Sequence, residues 1–173
     1  MIKSFLIAMV MLTAGFSTAQ AQNNHAAWEA LRAYDGVWLS DVRTRDDGST
    51  FQFRYTLEPY DSADTIVEMT IEMLAQNEAP TLILAGYKGW DAYREIVYYH
   101  AISPNGRFAD GDVVLEDGGN VVTRYRGVSQ QQGENQIRDV ITPIIDDRFS
   151  AVTYILRDGD WVEVWRDEWT RAG

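Results

Sequence analysis

Apolar and polar residues alternate along most of the chain after residue 35. In residues 51–57 and 67–73, every odd-numbered residue is apolar and every even-numbered residue is polar. This period of two is typical of β-strands that bury one face. The pattern predicts ten strands, at residues 36–44, 51–57, 67–73, 81–88, 94–102, 107–116, 120–128, 135–143, 148–157 and 160–170.

Short clusters of turn-forming residues separate these segments, as at residues 46–48, 103–106 and 158–159. Asp-Gly and Asn-Gly pairs in such clusters favour tight hairpins between consecutive antiparallel strands. Residues 24–34 instead have the apolar spacing of a helix, with Asn24 as its cap. A long meander removes its two edges by closing on itself. The sequence therefore predicts an all-β fold, an antiparallel up-and-down β-barrel of about 8–10 strands with one short N-terminal helix.

The beginning of the chain is typical of an export signal. Lys3 precedes an apolar run at residues 5–16, and Ala19-Gln20-Ala21 has the small-residue pattern of a cleavage site. The apolar run is shorter than the roughly 20 residues that a membrane-spanning helix needs. We therefore expect residues 1–21 to be a cleaved signal peptide and residues 22–173 to form a single β-barrel domain.

The composition restricts which compartments and which partners are expected for the protein. The chain has no cysteine, so an exported form fits a bacterial periplasm or the secreted space better than a disulfide-rich eukaryotic pathway. Its formal net charge of −11 argues against binding to nucleic acid or to an anionic membrane surface, and no membrane insertion is expected after cleavage. With two histidines and no thiolate, neither a metal nor another cofactor is predicted. The sequence does not indicate an oligomeric state.

A short motif resembles a known family. Gly36-Val37-Trp38 follows the predicted helix and begins the first strand, as the G-x-W motif does in the calycins, the group of lipocalins and fatty-acid-binding proteins. The resemblance implies that Trp38 closes one end of a lipocalin-like barrel, covered by an arginine near the end of the last strand, for which Arg171 is the match. Residues 86–87 and 98–106 also resemble small exported lipocalin-like proteins of bacteria with no assigned activity. The Arg-x-Tyr carboxylate anchor of fatty-acid-binding proteins is absent from the last strand.

Five residues are candidates for contact with a ligand. Met69 and Ile71 lie on the apolar face of one predicted strand, and Tyr98 and His100 share a face of another. Trp165 belongs to the last strand, where a period of two predicts that aromatic and acidic residues share one face. Such a face suits a sugar or an organic cation, but its rings could equally fill a barrel end. The residues of that face are Trp161, Glu163, Trp165, Asp167 and Trp169.

Other polar clusters have simple structural interpretations. Arg124, Arg126 and Arg138 alternate on adjacent predicted strands. They would bind an anion if they faced inward, but their neighbours are more apolar, which favours an outward orientation and pairing with surface acids. The acidic residues at 110–117 lack the spacing of a calcium-binding loop. No catalytic motif is present, and no residue is predicted to be catalytic, because nothing in the sequence supplies the second group that His100 would need.

The predicted function is the binding or carriage of a small apolar or amphipathic molecule inside the barrel. Two alternatives remain at this stage. One is a small isomerase- or cyclase-type enzyme in the barrel mouth, using Tyr98, His100 or an arginine. The other is a packed structural or interaction barrel with no ligand. The volume of the barrel interior separates the packed barrel from the other two.

Overall fold

The computed structural model describes residues 23–60, 62–130 and 133–173. The signal peptide predicted at residues 1–21 lies outside the described residues. Within them the chain forms one helix, α1, at residues 23–32, and eleven strands. The strands are β1 (Gly36–Ser40), β2 (Arg43–Thr44), β3 (Thr50–Pro59), β4 (Ile66–Ala75), β5 (Thr81–Asp91), β6 (Ile96–Ile102), β7 (Phe108–Leu115), β8 (Val121–Ser129), β9 (Gly133–Ile141), β10 (Arg148–Arg157) and β11 (Asp160–Arg171).

The strands form a closed barrel. From β3 to β11 each strand pairs antiparallel with the next, and β1 pairs with both β11 and β3. The two-residue strand β2 continues the course of β1 and pairs only with β3, so the wall has ten strands. The predicted all-β barrel of 8–10 strands with one short helix is thus confirmed, although the first predicted strand is divided at residues 41–42 and the helix ends two residues early.

The hairpins follow the chemistry of their turns. Asp158 and Gly159 connect β10 to β11, and both have positive φ angles, of 52° and 92°. A two-residue turn with two positive φ angles has the twist that antiparallel strands prefer. The Asp-Gly pair therefore sets the register of the last hairpin.

Helix α1 covers one end of the barrel. Its apolar residues Ala27, Trp28 and Leu31 are buried against a layer of aliphatic side chains from the strand ends. Asn24 Nδ2 donates to the Glu95 carbonyl at 2.7 Å, and Tyr34, just after the helix, donates its hydroxyl to the Thr142 carbonyl at 2.7 Å. These bonds attach the helix to the loops that follow β5 and β9. This end, the closed end, is therefore filled.

A register shift corrects one prediction about the last strand. Thr153 pairs with Trp165, but the next residue, Tyr154, pairs with Glu163, so β11 contains a bulge. The extra residue reverses the alternation beyond it. Trp165, Asp167 and Trp169 face the interior, whereas Trp161 and Glu163 are exposed. The expectation that all five share one face is wrong.

Candidate functional site

The barrel encloses a cavity of about 510 Å³ above the aliphatic layer of the closed end. That volume far exceeds the roughly 10–15 Å³ that a single water needs and lies within the roughly 300–1,000 Å³ of ligand pockets. Apolar side chains from five strands line most of its wall: Phe53, Met69, Ile71, Leu84, Ile141 and Phe149. A side lobe of about 230 Å³ shares part of this wall and extends toward Gly127 and Ile137.

The closed end contains the contact that the calycin resemblance implies. Trp38 is fully buried, and its Nε1 donates to the Tyr34 carbonyl at 2.7 Å. Arg171 is its register partner on β11, and the guanidinium carbon lies 4.1 Å from the indole centroid. Arg171 also donates to the Asp35 carbonyl at 2.8 Å. The pair joins the end of α1 to the first and last strands.

Gly36 is required beside this pair. Its φ is +115°, and a Cβ atom built there would lie 3.2 Å from a guanidinium nitrogen of Arg171. Residues with side chains rarely adopt that backbone conformation, so glycine accommodates both the turn and the arginine. Both the glycine and the tryptophan of the G-x-W motif thus have a structural explanation.

A small polar cluster forms the floor of the cavity, where it meets the closed end. It consists of Lys88 on β5, Thr123 on β8 and Asp139 on β9, and we call it the polar floor. The Lys88 side chain is buried, and its Nζ donates to Thr123 Oγ1 at 3.2 Å. Nζ also lies 5.5 Å from the centroid of the Tyr99 ring. In the part of the chain that the structure describes, Lys88 forms no ion pair with a carboxylate.

Burial changes the titration of both charged groups on the floor. Loss of solvation lowers the pKa of Lys88 to about 8, and the nearby Asp139 only partly offsets this effect. Burial likewise raises the pKa of Asp139, against hydrogen bonds from Thr153 and Tyr125 that favour the carboxylate. One carboxyl oxygen of Asp139, Oδ1, is buried without a hydrogen-bond partner among the described residues. The floor therefore holds two ionisable groups whose charged forms are poorly solvated.

Three tyrosines stand near the floor. Burial raises the pKa of Tyr55, Tyr99 and Tyr125, so each remains a neutral phenol at physiological pH. The rings of Tyr99 and Tyr125 meet edge to face at 5.2 Å between centroids. Gly111 separates them in register on β7 and has no side chain to keep them apart. The wall around the floor thus combines aromatic surface with a few hydroxyl groups.

The mouth of the cavity lies at the opposite end from α1. Trp165 lines the cavity yet is 42% exposed, and the guanidinium carbon of Arg43 lies 4.1 Å from its ring centroid. Both Arg43 and the indole nitrogen of Trp165 bind the buried carboxylate of Asp167. Arg107, from the loop before β7, also reaches the cavity. The mouth is therefore edged by an aromatic ring and two guanidinium groups.

The structure separates the five candidate ligand residues into two sets. Met69, Ile71 and Trp165 line the cavity. Tyr98 and His100 lie on the outer face of β6, where Tyr98 packs over Gly89 and His100 lies 3.7 Å from Asp110. The inward positions of that strand belong instead to its buried residues, Val97, Tyr99 and Ala101. A molecule inside the barrel therefore does not touch Tyr98 or His100.

The arginines on the central strands face outward, as their apolar neighbours indicate. Arg124 pairs with Asp112 at 2.7 Å, Arg138 with Glu116 at 2.6 Å, and Arg126 lies near Glu134. Much of the acidic segment is thus used in surface ion pairs. Within residues 23–60, 62–130 and 133–173, no group of three or more His, Asp or Glu side chains is placed to hold a metal ion.

The polar floor is the feature that inspection of the sequence missed, although a signal was available. Lys88 lies between Gly86 and Trp90 on the inward face of β5, and Asp139 lies between Ile137 and Ile141 on β9. Where the alternation of a strand calls for an apolar residue, a charged residue has two explanations. Either the strand has been assigned the wrong register, or the charged residue has a function. The sequence offered no means of joining the two, because they are distant along the chain.

No protein-family model matches the chain, and no curated protein matches it. No helix of the described segments has the length and apolar character needed to cross a membrane. The architecture itself, a closed ten-strand antiparallel barrel with one short helix, fits the calycin or lipocalin-like fold. The class of protein defined here is a closed antiparallel β-barrel with an internal cavity.

Proposed function

We propose that this protein is an exported calycin that binds or carries a small apolar or amphipathic molecule in its barrel. The observation that carries the proposal is the cavity of about 510 Å³, with apolar walls and a polar floor. An apolar body would lie along Met69 and Ile71, and a single polar group would reach the floor. The placement of Trp38 under Arg171 supports the relationship to the calycins.

The energetics of such a complex are favourable. Burial of apolar surface contributes about 25 cal/mol per Å², so a ligand that buries roughly 300 Å² gains several kcal/mol before the costs of association. Micromolar affinity corresponds to about −8 kcal/mol and is within reach once the floor adds a hydrogen bond. No charged anchor at the mouth is required for that affinity.

The cavity also weighs against a packed structural barrel. A barrel that only binds a partner through its surface gains nothing from an empty interior. The side chains around such a void lose dispersion contacts, and the fold is less stable as a result. Retention of such a volume favours an occupant. The walls are mostly apolar, so that occupant would be mostly apolar as well.

Fluorescent probes test the proposal directly. Anilinonaphthalene sulfonate and a fluorescent fatty acid should each bind the native protein saturably. Ile71→Trp should weaken that binding at least tenfold, because the larger ring occupies the cavity at its junction with the side lobe. Thr70→Trp is the matched control, since Thr70 lies on the outer face of the same strand. Absence of saturable binding, or equal losses in the two variants, would contradict the proposal.

The compartment can be tested independently. Protein purified from its source cell should begin at or near Gln22 when its N-terminus is sequenced. Recovery of intact Met1 in a membrane fraction would contradict export with cleavage. Native mass spectrometry of the same material would report the mass of any co-purifying ligand.

A further inference from the structure

Lysine is almost absent from this protein. The chain has thirteen arginines but only two lysines, Lys3 in the predicted signal peptide and Lys88. Lys88 is therefore the single lysine of the described residues, and it is buried on the floor of the cavity. The surface positive charge of this part of the chain is carried by arginine. Among the described residues, the one lysine is thus buried beside the cavity rather than exposed on the surface.

Arginine and lysine differ in whether they can become nucleophiles. A guanidinium group stays protonated under all ordinary conditions, whereas a buried lysine can lose its proton and become a free amine. Lys88 has one hydrogen bond, to Thr123, and forms no ion pair with a carboxylate of the described residues. Its pKa of about 8 means that an appreciable fraction is uncharged at mildly alkaline pH.

We propose that Lys88 forms a reversible imine with the aldehyde group of an apolar ligand held in the cavity. This inference rests on the proposed function and names the chemical class of its ligand. The cavity supplies the geometry: an aldehyde carbon that reaches the floor meets the amine at the base of an apolar wall. Lys88 lines the cavity, and Thr123, which accepts the hydrogen bond from its Nζ, lines the cavity as well.

The reaction needs no oxidant, reductant or third reactant. The Nζ lone pair forms a bond to the carbonyl carbon while the C=O π pair moves to oxygen. One proton passes from nitrogen to that oxygen and gives a carbinolamine. Protonation of its hydroxyl releases one water, and the remaining nitrogen lone pair completes the C=N bond of a protonated imine. Loss of the N–H proton then gives the neutral imine and returns the proton that was used. Asp139 is register-paired with Thr123 and has a raised pKa, so its carboxyl group is the available proton carrier.

An anionic headgroup is a poorer match to the same floor. Asp139 carries a negative charge when ionised, and burial has already removed much of its solvation. A second buried anion beside it would add repulsion. A permanently charged arginine would also serve an anion better than an amine that loses its charge. A neutral aldehyde avoids both costs.

Reductive trapping tests the imine. The purified protein is incubated with decanal and sodium cyanoborohydride, and the product is digested and mapped by mass spectrometry. We expect one decyl group on Lys88, with peptide mapping separating it from Lys3 and from the α-amino group. Lys88→Met should lose the adduct at this position. The double variant Lys88→Met/Thr70→Lys is the matched control, because it moves the only lysine of the described residues to the outer face of β4.

The rates decide the outcome. Trapping at Lys88 should be at least tenfold faster than trapping at residue 70 of the control, since the cavity concentrates the aldehyde beside an uncharged amine. Equal or slower trapping at Lys88 would overturn the inference. Decanol, which cannot form an imine, reports on the cavity separately by displacing the fluorescent probe. Displacement without fast trapping contradicts the imine alone, whereas failure of both contradicts the proposed function as well.

Discussion

Two arginine–tryptophan pairs lie at opposite ends of this barrel, and in both the guanidinium lies at the same distance from the indole ring. The guanidinium carbon of Arg171 lies 4.1 Å from the centroid of Trp38, and that of Arg43 lies 4.1 Å from the centroid of Trp165. Their surroundings differ completely. Trp38 is fully buried beneath α1, whereas Trp165 is 42% exposed at the mouth of the cavity.

The difference shows that one contact can serve two purposes. At the closed end, the indole and the guanidinium each donate to main-chain carbonyls, so the pair fixes the helix end to two strands. At the mouth, both groups bind the carboxylate of Asp167 and leave one side of the ring open. The first pair stabilises the fold, and the second shapes the opening through which a ligand would pass. The polar floor lies between them.

Removal of the buried ring should have the largest effect. Trp38→Ala is expected to lower the free energy of unfolding by about 3–5 kcal/mol, since it leaves a large cavity at the end that α1 covers. Denaturant unfolding at neutral pH measures this loss. A loss below about 1 kcal/mol would mean that the closed end does not depend on Trp38.

Replacement of the floor lysine should act in the opposite direction. At pH 7 Lys88 is largely protonated in the folded protein and fully protonated in the unfolded chain. Nearly the whole free-energy cost of burying its charge therefore lowers the stability at this pH. A pKa lowered from 10.5 to about 8 corresponds to about 3 kcal/mol. Lys88→Met keeps the volume without the charge and should therefore be up to about 3 kcal/mol more stable at pH 7.

The pH dependence supplies the check on that prediction. Between pH 8 and pH 10.5 the unfolded chain holds the Lys88 proton while the folded protein has lost it. The stability of the native protein should therefore rise toward that of Lys88→Met by about 1.4 kcal/mol per pH unit. The buried tyrosines destabilise both proteins above about pH 10, so the difference between the two unfolding curves is the quantity to compare. A constant difference from pH 7 to pH 10 would contradict the assignment.

Loss of the guanidinium at the closed end should have a smaller effect than loss of the ring. Arg171→Ala removes the bond to the Asp35 carbonyl and the cover over Trp38, but it leaves the indole in place. We expect a loss of about 2 kcal/mol. Arg171→Lys should recover only part of it, because an ammonium group lacks the planar fork that spans these partners. Thermal unfolding of the three proteins under one condition provides the measurement.

Truncation of the ring at the mouth should have the smallest effect on stability. Trp165→Ala leaves Arg43 paired with Asp167 and exposes little new core, so a loss of about 1 kcal/mol is expected. Under the proposed function, the dissociation rate of a cavity-bound probe should instead rise severalfold, since one side of the opening is lost. Stopped-flow displacement measures that rate. If stability fell as much as in Trp38→Ala, the distinction between the two ends would be lost.

The sequence predicted most of the wall of the barrel but only part of the site. Period-two alternation at residues 51–57 and 67–73 was sufficient to place Met69 and Ile71 inside, because only one face of that strand is apolar. Strand β6 was ambiguous, since aromatic residues occur on both of its faces. Tyr98 and His100 were therefore as plausible from the pattern as the buried Tyr99.

What the sequence determined by itself is local. Alternation defined the strands, Asp-Gly pairs defined hairpins, and Gly36-Val37-Trp38 marked the start of the barrel. These signals depend on neighbours within a few residues, where backbone preference and side-chain direction act directly.

Only the tertiary structure decided the rest. The bulge in β11 arises from how two strands pair, and it turned Trp161 away from the face that Trp165 occupies. In the polar floor, Lys88 on β5 donates to Thr123 on β8, on two strands that are not neighbours in the sheet and whose side chains meet only across the closed barrel. Closure is a property of the whole wall, and it determines which charged groups lose their water. The local alternation of residues does not contain that information.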